Sequence, residues 1–268
     1  MNDPIQFLWI GPELSRLEQL SLKSFLYHGH DVHLYTYGRV ANVPAGVVIK
    51  DGNDILSERL VFEQNIGKTF SGRGSVANFA DWFRWQLLLQ RGGYWADMDI
   101  ICLKSLDFDT EIVFGKESGT TANIALLRFP VGHELVQSIC NVIDKPFATY
   151  PWDSKKTKRR KLLRRLTGRT AYKDVRYGDL GVHLFTNILR HFGLFDMGKP
   201  FTYFYPIHPH SWQNIFDETF KNDDSLFADT YTLHFWHEMT RREGDFDKNA
   251  DFPKDSLIEK IRRQHSGD

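Results

Sequence analysis

Two aspartates one residue apart, Asp97 and Asp99, stand in an otherwise apolar stretch, Tyr94-Trp95-Ala96-Asp97-Met98-Asp99-Ile100-Ile101. On a strand, side chains at i and i+2 share a face, so the two carboxylates would repel one another there. Burying such charge without compensation costs roughly several kcal/mol. A divalent cation resolves the conflict. Hard oxygen ligands suit Mg²⁺ or Mn²⁺, ions that bind through one or two carboxylates and complete their shells with substrate phosphates. An Asp-x-Asp pair also arises by chance, one residue opening a turn and the other capping it. Its surroundings favour the metal. An apolar helix with Asp81 and Arg84 on one face (i, i+3) runs into Gly92-Gly93 and then into the pair. Exposed, Asp81 and Arg84 would form a surface ion pair of little value. In a cleft they offer a carboxylate for a hydroxyl and a guanidinium for a phosphate or sugar oxygen.

The elements that must hold these groups follow from periodicity. Ile5 to Ile10 is a short apolar run closed by Gly11-Pro12, the pattern of a buried strand and turn. Between Glu13 and Tyr27, Leu14, Leu17, Leu20, Leu22, Phe25 and Leu26 recur at helical spacing, and Gly29 stops the helix. Asp31 to Tyr37 alternates as a second strand. Strand, helix, strand argues for a βαβ unit and a parallel sheet. Val76 to Arg91 reads as a helix and Tyr94 to Leu103 as a strand interrupted by the aspartates. Further strands are expected at 111–114, 123–128 and 230–236, and further helices at 133–143, 179–192 and 254–263. No internal repeat or low-complexity linker appears, so one domain is expected.

Lysines plus arginines equal aspartates plus glutamates, 34 each, and the balance gives no nucleic-acid signal. The two cysteines, Cys102 and Cys140, lie in no CxxC or Cys/His cluster, which argues against a thiolate zinc site and for a reducing compartment. The N-terminus lacks a signal-peptide pattern, and no run is long enough to span a bilayer. The expected location is therefore cytoplasmic. One local imbalance stands out: eight of the eleven residues from Lys155 to Arg165 are Lys or Arg, with Leu162, Leu163 and Leu166 close together on a helical face. Such a segment is either a solvated loop or a basic amphipathic surface for anionic headgroups at the inner face of the membrane, and the second reading takes it as Lys155 to Arg169.

The block from Asp81 to Leu106 resembles the DxD signature of the family 32 glycosyltransferases and their relatives, which include α-1,4-galactosyl- and N-acetylglucosaminyltransferases, capsule and lipopolysaccharide glycosyltransferases and, more distantly, glucosylating bacterial toxins. The positions that carry the resemblance are Ala80-Asp81, Arg84, Gly92-Gly93, Trp95, Asp97-Met98-Asp99 and Leu103-Lys104-Ser105-Leu106. Trp9-Ile10-Gly11, with Leu17-Glu18-Gln19 and Leu22-Lys23-Ser24-Phe25, extends it toward the N-terminus. Trp95 stands where these enzymes usually carry Tyr.

The resemblance implies a GT-A fold: a Rossmann-like, mainly parallel sheet flanked by helices, with an elaborated C-terminal acceptor region. It divides a single domain, 1–268, into a nucleotide-sugar half (1–110) and an acceptor half (111–268) that carries the basic segment 155–169. It implies a Mn²⁺ or Mg²⁺ cofactor, a nucleotide-sugar donor, commonly UDP-linked, and retention at the anomeric carbon. Asp97 and Asp99 would serve the metal and diphosphate, and Asp81 and Arg84 the donor sugar and ribose side. Trp9, Ile10 and Gly11 would border the nucleoside pocket at a strand's C-terminal end, with Trp95 and Met98 beside the donor. Late in the chain, Thr232 to His237 is similar to the family's His-x-Trp element. It makes His234 a candidate third metal or phosphate contact and places Trp236 beside the diphosphate. Gly178 to Thr186 matches a Gly-Pro element in part, with Val182 replacing the proline, and Asn123 is a candidate near the acceptor.

The expected partners are the nucleotide sugar and a glycan or lipid-linked oligosaccharide acceptor in surface polysaccharide synthesis. No nucleic acid is expected, and the oligomeric state is left open. Two rival readings are a carbohydrate- or lipid-binding protein on a degenerate transferase scaffold, and a metal-dependent phosphodiester hydrolase. The second would call for a larger His/Asp cluster than the sequence offers.

Overall fold

The computed structural model describes residues 3–63, 75–168, 175, 181–222 and 224–265. A six-stranded sheet forms the centre, in the order β3-β2-β1-β4-β7-β6. Its strands are β1 (Ile5–Leu8), β2 (Val32–Thr36), β3 (Val48–Asp51), β4 (Gly93–Ala96), β6 (Val113–Ser118) and β7 (Thr121–Phe129). β1 pairs in parallel with both β2 and β4, and β2 with β3. β7 runs antiparallel between β4 and β6, so it alone is reversed. This is a mixed α/β fold with a mostly parallel sheet, as the first strand–helix–strand unit leads one to expect.

β1 is buried along its whole length, as a central parallel strand should be. Its one polar residue, Gln6, is satisfied: its amide donates to the carbonyls of Gly92 (2.7 Å) and Tyr94 (3.1 Å) and so ties β1 to the start of β4. α1 (Arg16–Tyr27) begins after Ser15, whose N–H donates to the Glu18 carboxylate. α2 (Ala77–Arg91) buries Phe79, Phe83, Leu87 and Leu88 against the sheet. It stops at Gly92, which adopts φ 62°, ψ −156°, a conformation essentially reserved for glycine. A Cβ there would lie 2.7 Å from the backbone nitrogen of Val131, so both dihedral and space demand glycine.

One expected strand divides in two. β4 ends at Ala96; the chain turns through Asp97-Met98-Asp99, with Ile100 N–H donating to the Asp97 carbonyl, and continues as β5 (Ile100–Cys102). β5 leaves the main sheet and pairs antiparallel with β8 (Thr232–His234), Ile100 opposite His234. Asp97 and Asp99 are therefore turn residues between two sheets, not neighbours on one strand face. Continuous burial on both sides of the turn hides it from periodicity.

Helices α3 (Glu134–Asp144) and α5 (Val182–His191) pack with α2 over one side of the sheet. Phe7, Leu22, Phe25, Val32 and Ala96 form a second apolar cluster with α6 (Phe201–Phe204). A third joins Leu17 and Leu20 of α1 to β5, β8 and α8 (Leu257–His265). The basic segment is helical, α4 (Lys155–Leu166); Arg169 lies outside the described residues, as do Gly178, Asp179 and Leu180. A short helix, α7 (His237–Arg242), follows β8. No helix among the described residues is long and apolar enough to cross a membrane.

Candidate active site

A cavity of about 610 Å³ opens at the C-terminal ends of β1 and β4. Ligands bind there in open α/β sheets. Its walls come from both parts of the chain: Leu8, Trp9 and Ile10 after β1, the Asn78, Asp81 and Arg84 stripe of α2, Trp95 and the Asp97–Asp99 turn, then Gly181 to His183 and His234 to Arg241. Ten of the eleven residues expected to contact cofactor or donor line it, namely Trp9, Ile10, Asp81, Arg84, Trp95, Asp97, Met98, Asp99, His234 and Trp236. Gly11 does not; it is exposed beyond the turn. Asn123 is also absent from the wall. Its amide donates to Glu117, and its carbonyl accepts from Ala125 N–H. Thr186 ties α5 to β7 by accepting from Ala122 N–H.

Arg84 is almost fully buried and bridges two carboxylates. One terminal nitrogen donates to Asp81 Oδ1 at 2.9 Å, the other to Asp97 Oδ1 at 2.5 Å, and the guanidinium lies 5.0 Å from the Trp95 ring centroid. Trp95 donates its indole N–H to the same Asp97 oxygen at 2.7 Å. The tryptophan that replaces the family's usual tyrosine thus still presents a donor, aimed at the first aspartate of the pair. Asp97 N–H donates to the Ala125 carbonyl at 2.8 Å, which anchors the turn to β7.

Asp99 is held from the opposite side. Its Oδ2 lies 2.9 Å from His234 Nε2 and accepts the His237 backbone N–H at 2.7 Å. Its carbonyl accepts Phe235 N–H, which continues the β5–β8 pairing. Trp236 rests on the His234 ring, centroids 3.9 Å apart, and donates its indole N–H to the Ile207 carbonyl. Trp236 adopts φ 57°, ψ 60°, a left-handed conformation unusual for a bulky residue and one that costs about 1–3 kcal/mol. The His237 ring in turn contacts Lys248 Nζ at 2.6 Å, and Lys248 pairs with buried Glu18 at 2.6 Å.

These contacts set the charges. Burial pushes Asp81 up to about 6 against the pull of Arg84, and nearby Asp97 adds to the rise. Burial also raises Asp97, opposed by Arg84 and reinforced by Asp99. At Asp99 burial is outweighed by His234 and the His237 N–H, which hold its carboxyl well below the usual range. Burial and the Lys248 cation lower His237.

The donor set fits a hard cation. Each aspartate of the pair has one oxygen fixed by protein donors, while Asp97 Oδ2 and Asp99 Oδ1 make no hydrogen bond among the described residues. No three His, Cys, Asp or Glu side chains converge as a ready metal cluster among those residues. A cation held here would therefore draw most of its oxygens from outside the protein, as Mg²⁺ and Mn²⁺ do beside phosphates. His234 already spends Nε2 on Asp99, and its Nδ1 is buried without a partner among the described residues.

A mostly parallel α/β sheet with an Asp-x-Asp turn at its carboxyl edge, facing a cavity of ligand size, offers acidic oxygens for a cation beside room for a phosphorylated ligand. Residues 28–117 match the family model described as "Glycosyltransferase sugar-binding region containing DXD motif". Residues 160–265 match the one described as "Alpha 1,4-glycosyltransferase conserved region". The first takes in α2 and the aspartate turn, the second β8 and the histidines that hold Asp99. This chain is a DXD-containing glycosyltransferase. A region of this kind implies a divalent metal ion and a nucleotide-sugar donor, and glycosyl transfer implies a glycan acceptor.

No curated protein sequence matches the chain. Among solved structures, "PaToxG Glycosyltransferase" superposes at a TM-score of 0.44 with 13% identity, over 71% of this chain and 69% of that one. The apo-form glycosyltransferase GlyE of Streptococcus pneumoniae TIGR4 superposes at 0.41 with 14% identity, over 100% of this chain and 61% of that one.

Motif reading did not single out Asn78, His183, His237, Glu238, Met239 and Arg241, which also line the cavity. Asn78 was within reach of it, since Asn78, Asp81 and Arg84 recur every three residues on one helix face. The others arrive by tertiary folding of α5 and α7.

Proposed function

We propose that this enzyme moves a hexose or N-acetylhexosamine from a UDP-sugar to a glycan or glycolipid hydroxyl in surface polysaccharide synthesis, with retention at the anomeric carbon, as one GT-A domain. Its first 110 residues would serve the nucleotide sugar and the remainder the acceptor. Asp97 and Asp99 would hold Mn²⁺ or Mg²⁺. The observation that carries this reading is the half-satisfied state of the two carboxylates on the cavity wall: one oxygen of each fixed, the other without a protein partner.

When bound, the cation supplies charge neutralisation for the departing diphosphate. The chain's own residues do the rest. Arg84 and Trp95 orient Asp97, while His234 and the His237 N–H orient Asp99 and keep it ionised, so the carboxylates require little rearrangement on binding. The contacts expected of Asp81 and Arg84 with the donor become indirect in this reading, because the terminal nitrogens of Arg84 are engaged by carboxylates. Trp9 and Ile10 form an apolar wall suited to a nucleoside base. The cavity volume of about 610 Å³ lies within the range of roughly 300–1,000 Å³ usual for small-ligand sites.

Calorimetry of UDP with and without Mn²⁺, on wild type and Asp99→Ala, tests the proposal. Metal-dependent UDP binding that disappears in the variant supports it; equal binding by both proteins rules out this site. Incubation with UDP-sugars separates a transferase, which slowly releases sugar to water, from a binder, which releases none.

A further inference from the structure

Helix α4 is amphipathic in the reverse of the usual sense. At 100° per residue, Thr157, Lys161 and Arg164 fall on one face, and these three are the half-buried residues of the helix. Lys161 donates to both oxygens of Asp153, at 3.0 and 2.8 Å, and lies 4.8 Å from the Tyr150 ring; Arg164 lies over Phe147. Polar groups thus attach α4 to the body. Its leucines lie on the opposite face, Leu162 51%, Leu163 57% and Leu166 75% exposed, and no residue of the helix is buried. An ordinary surface helix turns such a stripe inward.

The outward leucines sit among cations. On the same wheel Lys155 and Arg159 fall within the leucine sector, with Lys156 and Lys158 at its edges. α4 contains eight Lys or Arg and no acidic residue, in a chain whose basic and acidic residues number 34 each. With those eight of the 34 basic residues set aside, the remainder is net acidic, 26 basic against 34 acidic residues, and α4 alone carries the excess that balances it. A groove of about 630 Å³ beside it is lined by Lys155, Lys156, Arg159 and Leu163, among others.

We propose that α4 docks this enzyme onto an anionic phospholipid surface, its leucines entering the headgroup boundary and its flanking lysines and arginines meeting lipid phosphates. A nucleic-acid backbone rewards cations and stacking aromatic rings; α4 has no aromatic residue, and three outward leucines would gain nothing there. At a bilayer interface both classes of side chain are used. The inference rests on α4 and not on the identity of the sugar or acceptor.

The test is co-sedimentation of the full chain with vesicles of phosphatidylcholine, with and without phosphatidylserine. Wild type should partition onto the phosphatidylserine vesicles and be released by salt. Each cation near such a surface contributes a gain of roughly fivefold, so the quadruple variant Lys155→Gln, Lys156→Gln, Lys158→Gln, Arg159→Gln should lose more than about 100-fold in partitioning. Leu162→Ser, Leu163→Ser, Leu166→Ser should lose about tenfold or more while retaining its elution from heparin resin. Because no α4 side chain is buried, both variants should keep the wild-type circular dichroism and thermal midpoint. Absence of binding to phosphatidylserine vesicles overturns the proposal. So does a leucine variant that binds vesicles as well as wild type, the mark of simple polycation adsorption. Displacement of vesicle-bound protein by single-stranded RNA that the leucine variant binds undiminished overturns it in favour of a nucleic-acid surface.

Discussion

Replacing Arg84 by methionine should damage the fold and the proposed metal site together, by an amount that depends on pH. Arg84 is 3% exposed, and its guanidinium bridges Asp81 and Asp97. Deleting one member of a buried ion pair costs about 3–5 kcal/mol, because the partner is left charged and desolvated. Here two partners are stranded, and burial has already pushed Asp81 up to about 6. Without Arg84 both carboxyl groups should titrate higher still. The folded variant then holds protons that the unfolded chain releases near the ordinary carboxylate value. Its stability must therefore fall as pH rises between that value and the raised folded one. Urea unfolding followed by tryptophan fluorescence should show a loss of about 3–5 kcal/mol at about pH 8, shrinking toward about pH 5 as the stranded carboxylates take up protons. Adding Asp81→Asn should restore part of the loss, since one stranded charge is removed. UDP binding in the presence of Mn²⁺ should fall in Arg84→Met even where the protein is folded, because Asp97 loses its stay. If Arg84→Met unfolds at the wild-type urea concentration at both pH values and binds Mn²⁺ and UDP unchanged, the bridge has no energetic role and the account of the site fails.

Trp95→Phe keeps the ring but removes the N–H to Asp97, and metal affinity measured by calorimetry should drop about 10-fold or more, as for other partners of metal ligands. Asp99→Asn should abolish metal-dependent UDP binding and also lower the urea midpoint at neutral pH, because the depressed carboxyl stabilises the fold above its unfolded value and a neutral amide forfeits that pairing with His234 and the His237 N–H. Gly92→Ala, with a left-handed φ and a backbone nitrogen 2.7 Å from the new Cβ, should destabilise by about 3 kcal/mol; Gly132→Ala, equally left-handed at φ 71° but in open space, should cost only about 1 kcal/mol. His28 and His265 face one another across the α1–α8 contact, ring centroids 5.7 Å apart, and burial lowers both from the imidazole value of 6.5, with mutual repulsion adding to the shift at His28. A lowered folded value means stability present above about 6.5 and lost as pH falls through it. The urea midpoint should fall between about pH 7.5 and pH 5, and His265→Phe should flatten that slope.

Much of this was legible in the residues themselves. The apolar spacing of α2, its glycine stop and the Asp-x-Asp pair are local signals that gather Asp81, Arg84, Trp95, Asp97, Met98 and Asp99, whereas Trp9, Ile10, His234 and Trp236 entered through the family resemblance. The break between β4 and β5 was not legible, because Trp95, Ala96, Ile100 and Ile101 are all buried and read as one apolar run. Which sheet each half joins depends on β8, more than a hundred residues later. Arg84 shows the same division. Its helical partner Asp81 follows from a three-residue spacing, whereas its bond to Asp97 requires the turn after Gly92-Gly93 to bring β4 back alongside α2. His237 closes the stretch that the resemblance marks, but its role was not legible: it serves Asp99 through its backbone N–H, which every residue but proline possesses.

The aspartate turn joins two sheets, and the second is completed only when β8 returns to β5. During synthesis, the segment that carries Asp97 and Asp99 leaves the ribosome long before His234, His237 and Lys248 exist. Until then Asp99 lacks the partners that keep it ionised and oriented, and β5 offers an unpaired edge. If the aspartate turn is the proposed donor site, competence to bind there arrives late and all at once, and a chain cut short ahead of residue 232 should be inert toward nucleotide and prone to associate through that bare strand.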